Sequence, residues 1–315
     1  MIGSLDHLRL ALVAVSDPFG DTHVVALVIA LVLHTASLLV RARVWCGILR
    51  VALPGRAVPM WPTFWAYMAG VGANVLTPFR GGDLVRLYAA RRVVPGAPTA
   101  VLAATLIAET VFGLVVIIGL SVFTAAAGWL PPLVKVPDAD AFEFSLYARH
   151  PLLVLAVLVI IPLVGFLASR HAGRQVQGVC RDALRGVRVL GSPALFARVV
   201  ALPQLADWML RIGMAYALLA AFGVQPSIRA AILVVVIDSA ATALPFTPGG
   251  AGAQQALLVL ALGGTATAAA LLSFSIGAQA VITAANLVGG VVAIFVIFGH
   301  VRVRQLAREA RATAG

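Results

Sequence analysis

Charge is what this chain lacks most. Only 11% of its 315 residues are charged, about half the share of an ordinary soluble domain. Acids are the scarcest: 12 Asp and Glu stand against 23 Lys and Arg, and only Lys135 is lysine. Cysteine is nearly absent. Cys46 and Cys180 both fall in basic segments, which argues against a disulfide and makes no metal motif. There is no phosphate-cradling loop of the Walker type, no paired His/Asp set for phosphatase chemistry and no metal-ligand spacing. ATP as a direct energy source is set aside, no cofactor or metal is expected, and the chain does not read as an enzyme.

What is abundant is apolar sequence, 61% of the chain. Several runs of about 18 residues or more mark an all-α, multi-pass integral membrane protein. Short alternating segments, the sign of an outer-membrane barrel, are missing. The expected spans are His23–Val40, Ala100–Gly128, Pro151–Ala168, Ala201–Phe222 and Thr267–Phe298. The formal charge of +11 does not point to nucleic acid, because the basic residues cluster in loops between these spans. The first twenty residues read as a short interfacial helix or a cleaved leader.

Two further stretches are apolar yet broken. Asn74-Val-Leu-Thr-Pro-Phe-Arg-Gly-Gly-Asp-Leu-Val-Arg86 and Leu244-Pro-Phe-Thr-Pro-Gly-Gly-Ala-Gly-Ala-Gln-Gln255 both carry Thr-Pro followed closely by Gly-Gly. Helix-breaking polar backbone at membrane depth is tolerated only where protein buries it or it lines a wet cavity. If residues 61–92 crossed the membrane fully, the Arg-rich segment 170–198 would lie outside. If 61–92 instead enters from the cytoplasm and returns, and 230–264 does the same from the other side, 16 basic residues lie inside and 4 outside, with Arg80, Arg86 and Arg211 in the membrane. The positive-inside bias selects the second topology. The chain then divides into a first repeat 23–128 with re-entrant hairpin 61–92, a linking span and basic segment 151–200, and a second repeat 201–298 with hairpin 230–264. A basic cytoplasmic tail, 299–315, completes it. Residues 174–190 read as a basic amphipathic helix on the inner surface. The expected architecture is an inverted-topology repeat with its site near the midplane.

Ionisable residues inside spans are costly and are functional candidates by default. Asp83 and Arg86 are three apart and share a helix face, and Glu109 in the next span can reach Arg80 or Arg86. These groups either hold the hairpin together or leave one guanidinium for a phosphate, and Arg80, at the turn, is the favoured anchor, helped by Arg86. Asp207 and Arg211, four apart, suggest a local pair, and Asp238 is an ion-pairing or proton-coupling candidate. His34 reads as a satisfied polar residue. Pro78, Gly81, Gly82, Pro248, Gly249, Gly250 and Gly252 form the turns. Asn74, Thr77, Thr247, Gln254 and Gln255 are candidate head-group ligands.

At these residues the chain resembles the lysylphosphatidylglycerol synthase transmembrane (flippase-like) family. Asn74-x3-Pro78-x-Arg80-Gly81-x-Asp83-x2-Arg86 is similar to its first signature and Pro248-Gly249-Gly250-x-Gly252 to its second. Glu109 falls where the family has an acidic residue after the first hairpin. Two departures stand out: Gln255 holds a place where the family usually has Glu, and Thr110 one where it often has Arg. The resemblance implies movement of a lipid between leaflets, of the stand-alone kind without the soluble aminoacyl-transferase domain. A phosphate-containing lipid, a phospholipid or a polyprenyl-phosphate-linked glycolipid, is the expected cargo, and the bacterial cytoplasmic membrane the expected location. The alternatives are a scaffold recruiting a cytoplasmic synthase and, less favoured, a membrane enzyme acting on lipids. A second copy of the chain is a further candidate partner.

Overall fold

Helix α1 runs Asp21–Ala52, 32 residues without a break. The sequence reading ended this span at Val40, where the arginines begin. The helix continues because the polar residues at this depth are met by neighbouring helices. Val24, Val25, Val28, Ile29, Val32 and Leu39 are exposed. His34, Ser37, Arg41 and Trp45, spaced three, four and four, share the other side. In a membrane the apolar side faces lipid, and the polar stripe stays helical because neighbouring helices satisfy it.

The computed structural model describes residues 21–77, 81–129, 174–243 and 253–299, all of them in helices and short connections. The expected span 151–168, the loop before it and the basic tail lie outside these residues, as do the tips of both Pro/Gly turns. After α1 come α2 (Met60–Leu76), α3 (Gly82–Val93), α4 (Thr99–Ala126) and α5 (Arg174–Gly186). A short helix Pro193–Phe196, capped by Ser192, leads through a π-helical turn into α6 (Leu202–Ala221). Then follow α7 (Ile228–Ala243), α8 (Ala253–Leu262) and α9 (Ala268–Ile294). Among the described residues three stretches are long and apolar enough to cross a membrane: His23–Ala52, Thr99–Ala126 and Ala268–Ile297.

Helices α2 and α3 pack as an antiparallel pair. Gly70 lies against Gly82 and Arg86 at one end, and Thr63 and Ala66 line a crevice with Ala90 and Val93 at the other. At 17 and 12 residues they measure about 25 and 18 Å, short of a hydrocarbon core of about 30 Å. Helices α7 and α8 also pack on one another; α8, with 10 residues, is about 15 Å long. Both α4 and α6 end in the same way. A glycine at positive φ, Gly128 at 66° and Gly223 at 69°, turns the chain. The following amides of Trp129 and Val224 close back onto Thr124 O and Leu219 O.

The helices recur at a fixed interval. Adding 170 to the bounds of α1 gives 191–222, against an observed helical stretch of 193–221. The same shift carries α2 onto 230–246, α3 onto 252–263 and α4 onto 269–296, close to α7, α8 and α9. Packing recurs too. Helix α1 meets α2 as α6 meets α7, α3 meets α4 as α8 meets α9, and α2 lies on α9 as α7 lies on α4. Between the two sets, α1 and α6 run antiparallel: His23 Nδ1 donates to Ala221 O at 2.9 Å, Ser37 meets Asp207, and Gly47 abuts Val199. Where α2 crosses α9, Gly72 and Gly290 bring the backbones together; a Cβ on Gly72 would sit 2.4 Å from Gly290 Cα.

Candidate functional site

The described polar residues gather where the two sets of helices meet. Arg86 of α3 and Glu109 of α4 form the shortest ion pair among the described residues, Nη2 to Oε2 at 2.6 Å, both side chains at most 10% exposed. The Arg86 guanidinium packs over the Trp45 ring at 3.9 Å and the Tyr67 ring at 4.5 Å. Trp45 in turn donates its Nε1–H to Thr105 Oγ1. Glu109 is thus the counter-charge of a buried arginine, and Asp83, three residues from Arg86, is not. Among the described residues Asp83 has no ion pair; its charge lies within electrostatic reach of Arg41.

Arg41 is the residue the sequence reading misplaced. Counted there among cytoplasmic loop charges, it lies on the polar stripe of α1, 4.0 Å from Glu109 Oε1 and 5.7 Å from the Tyr67 ring. Its side chain is 40% exposed, against 8% for Arg86. Along the same stripe Ser37 donates a very short hydrogen bond to Asp207 of α6, and His34 Nε2 donates to Asn286 of α9 at 2.8 Å. His34 is therefore a satisfied polar group bridging two helices, as expected.

The local pair expected between Asp207 and Arg211 is not formed. Arg211 turns to α7, 3.4 Å from Asp238 Oδ2 and 3.2 Å from Ser239 Oγ, and stacks 4.6 Å from the Trp208 ring. Asp207, buried at 4% exposure, faces α1 instead. A carboxylate on a packed neighbour wins over one a turn away on the same helix. Gln254 of α8 donates to the other oxygen of Asp238 at 3.3 Å, and Gln255 donates to Gln279 of α9 at 2.7 Å.

Asn74 and Thr77 were expected to hold a head group. Their oxygens serve the hairpin itself: Asn74 Oδ1 accepts from Gly82 N at 2.9 Å and Thr77 Oγ1 donates to Ala73 O at 2.7 Å. Gly81 sits directly against Thr77. Pro78 and Arg80, and with them Thr247, Pro248, Gly249, Gly250 and Gly252, lie outside the described residues.

The 170-residue interval extends to the site. It carries 37, 41, 77 and 109 onto 207, 211, 247 and 279. Ser37 and Asp207 are thus equivalent positions in contact with one another, and Arg41 and Arg211 are equivalent arginines. Glu109 maps onto Gln279, which accepts from Gln255 as α8 meets α9, whereas Arg86 maps onto Ala256, the residue after Gln255, so the Arg86–Glu109 pair has a neutral parallel shifted by one position.

A sequence pattern described as the lysylphosphatidylglycerol synthase TM region matches residues 13–290. The chain belongs to this family. It is a family of membrane domains, and the protein is a membrane protein. The match covers both sets of helices and every site residue named above. No curated protein and no solved structure matches the chain.

Proposed function

We propose that the protein moves a phosphate-bearing lipid between the two leaflets of the membrane. The observation that carries this reading is the polar network itself. Arg41, Arg86 and Glu109 form an ion-pair group in the first set of helices, Arg211 and Asp238 form one in the second, and the Ser37–Asp207 hydrogen bond joins the two sets. Charge at membrane depth is costly and is kept where a pathway needs it. A scaffold recruiting a cytoplasmic synthase through α5 has no use for such a network. An enzyme acting on lipids is the less favoured reading, because Glu109 is tied to Arg86 and Asp238 to Arg211.

The two sets of helices are read as inverted repeats. When two copies of a unit place their equivalent first helices antiparallel, the axis relating them is perpendicular to those helices and lies in the membrane plane. Antiparallel α1 and α6 support that geometry. The short helix pairs α2–α3 and α7–α8 are then re-entrant hairpins, one entering from the cytoplasm and one from the opposite side. The lipid phosphate engages Arg80 at the first turn, the head group crosses between the hairpins, and the tails remain in the bilayer. Arg86, first considered as a helper of Arg80, is instead a positioning residue saturated by Glu109. Rocking of the two halves exposes the path to each side in turn.

Exchange of a fluorescent phospholipid in proteoliposomes tests the anchor. Arg80→Ala is expected to slow protein-dependent exchange by about tenfold or more, with Arg80→Lys retaining most of it, since one charge-assisted contact to phosphate is lost. Unchanged exchange in Arg80→Ala would remove Arg80 from the path.

A further inference from the structure

Beyond a single anchor, we propose that Arg41 and Arg211 are two equivalent phosphate stations, one on each side of the membrane midplane, with Asp207 as the barrier between them. The proposal rests on the transport reading and deepens it. Its basis is the axis fixed by Ser37 and Asp207. These positions are 170 apart, touch each other, and belong to antiparallel helices. The point where equivalent residues meet is where the pseudo-two-fold axis passes. Arg41 and Arg211 each lie four residues beyond that point, in the direction of their own helix. Because the helices are antiparallel, the two arginines are displaced in opposite senses. Four residues rise about 6 Å, so the guanidinium-bearing positions are about 12 Å apart along the helices. In the expected topology α1 runs towards the cytoplasm and α6 away from it, so Arg41 serves the inner half and Arg211 the outer half.

Each station is held without being saturated. Arg41 shares Glu109 with Arg86, which takes the shorter contact, 2.6 against 4.0 Å. Arg211 lies 3.4 Å from Asp238, whose other oxygen accepts from Gln254. Both side chains keep accessible surface, 40% and 21%, where Arg86 keeps 8%. They also lie within electrostatic reach of one another. Two like charges in a low-dielectric interior repel, and a phosphate beside either of them relieves that repulsion. Asp207 acts in the opposite sense. A buried carboxylate on the axis repels a phosphate at the crossing point, which makes the stations two resting places with a barrier between them. The equivalence matters for the cycle: a phosphate passing between equivalent sites encounters comparable affinity on the two sides, so neither leaflet traps it.

Binding tests this apart from transport. The purified protein is titrated with dioleoyl phosphatidylglycerol and, in a second arm, with inorganic phosphate, and bound lipid is read by native mass spectrometry against diacylglycerol as a phosphate-free control. Arg41→Gln and Arg211→Gln are each expected to remove one station and leave the other, lowering the phosphatidylglycerol bound at saturation by about half. The double variant is expected to bind it no better than diacylglycerol. Arg41→Lys and Arg211→Lys are expected to stay within a few-fold of the parent, and melting curves confirm that the variants fold. Inorganic phosphate is expected not to compete; competition would overturn the assignment to a lipid-borne phosphate. A double variant that binds like the parent overturns the stations, as does a loss confined to one arginine. If the stations bind but leaflet exchange is absent, transport fails and the stations stand. If exchange proceeds in a double variant with parental binding, the stations fail and transport stands.

Discussion

Glu109→Gln is expected to destabilise the protein by about 3–5 kcal/mol, because it leaves a buried arginine without its counter-charge. Arg86 is 7% exposed and its Nε has no hydrogen-bond partner. Its charge is balanced at close range by one oxygen of Glu109, with the faces of Trp45 and Tyr67 as the remaining support. Arg41 cannot compensate, since it brings more positive charge to the same place. A second substitution separates this mechanism from a general loss of packing. Arg86→Met removes the stranded charge while keeping a long apolar side chain against the two rings, so the double variant Glu109→Gln, Arg86→Met is expected to recover much of the loss. Thermal unfolding in one detergent, followed for the parent, both single variants and the double, gives the cycle. Additive losses would show that the pair is not coupled and that the hairpin is held by other contacts.

Gly82→Val is the second large effect. A Cβ on Gly82 would lie 2.1 Å from Gly70 O and 2.6 Å from the Asn74 side chain. The first obstacle is backbone and cannot rotate away. The second is the side chain that accepts from Gly82 N and fastens the turn. Helices α2 and α3 must therefore separate, which breaks that bond and lifts Arg86 from its rings. Overpacking of this kind costs about 1–3 kcal/mol, and the lost hydrogen bond about 1 more. The same unfolding measurement checks it, and a drop no larger than that of a surface substitution would contradict the close approach of the two helices.

Much of this was legible in the sequence, for identifiable reasons. Apolar runs gave the membrane class and the spans ending in α4 and α9, because those helices carry their charge sparsely. The Asn74–Arg86 stretch gave the first hairpin and the family, since Pro78 and the Gly81-Gly82 pair cannot continue a membrane helix. Glu109 was named as a partner for Arg80 or Arg86 from its depth alone, and it pairs with Arg86. Arg41 was missed because hydropathy averages around the helix: the arginines from 41 onward ended the span, although His34, Ser37, Arg41 and Trp45 already traced one face. Weighing that face by period instead of by mean would have found it. The Asp207–Arg211 spacing misled because i,i+4 proximity says nothing of the stronger partner on another helix, here Asp238. The 170-residue interval was hidden behind unlike residues. Ser37 matches Asp207 and Glu109 matches Gln279 in position and not in chemistry, so outside the Thr-Pro echo of 77–78 and 247–248 the correspondence shows in packing.

The central claim is that a lipid phosphate is carried through the shared polar interior. Leaflet exchange in proteoliposomes tests it most directly, with two labelled lipids that differ in one respect, a phosphodiester head and a phosphate-free sugar head on the same diacylglycerol. The account predicts protein-dependent exchange of the phosphodiester lipid while the phosphate-free lipid stays at the rate of empty liposomes. Equal acceleration of both lipids, or of neither, would contradict it.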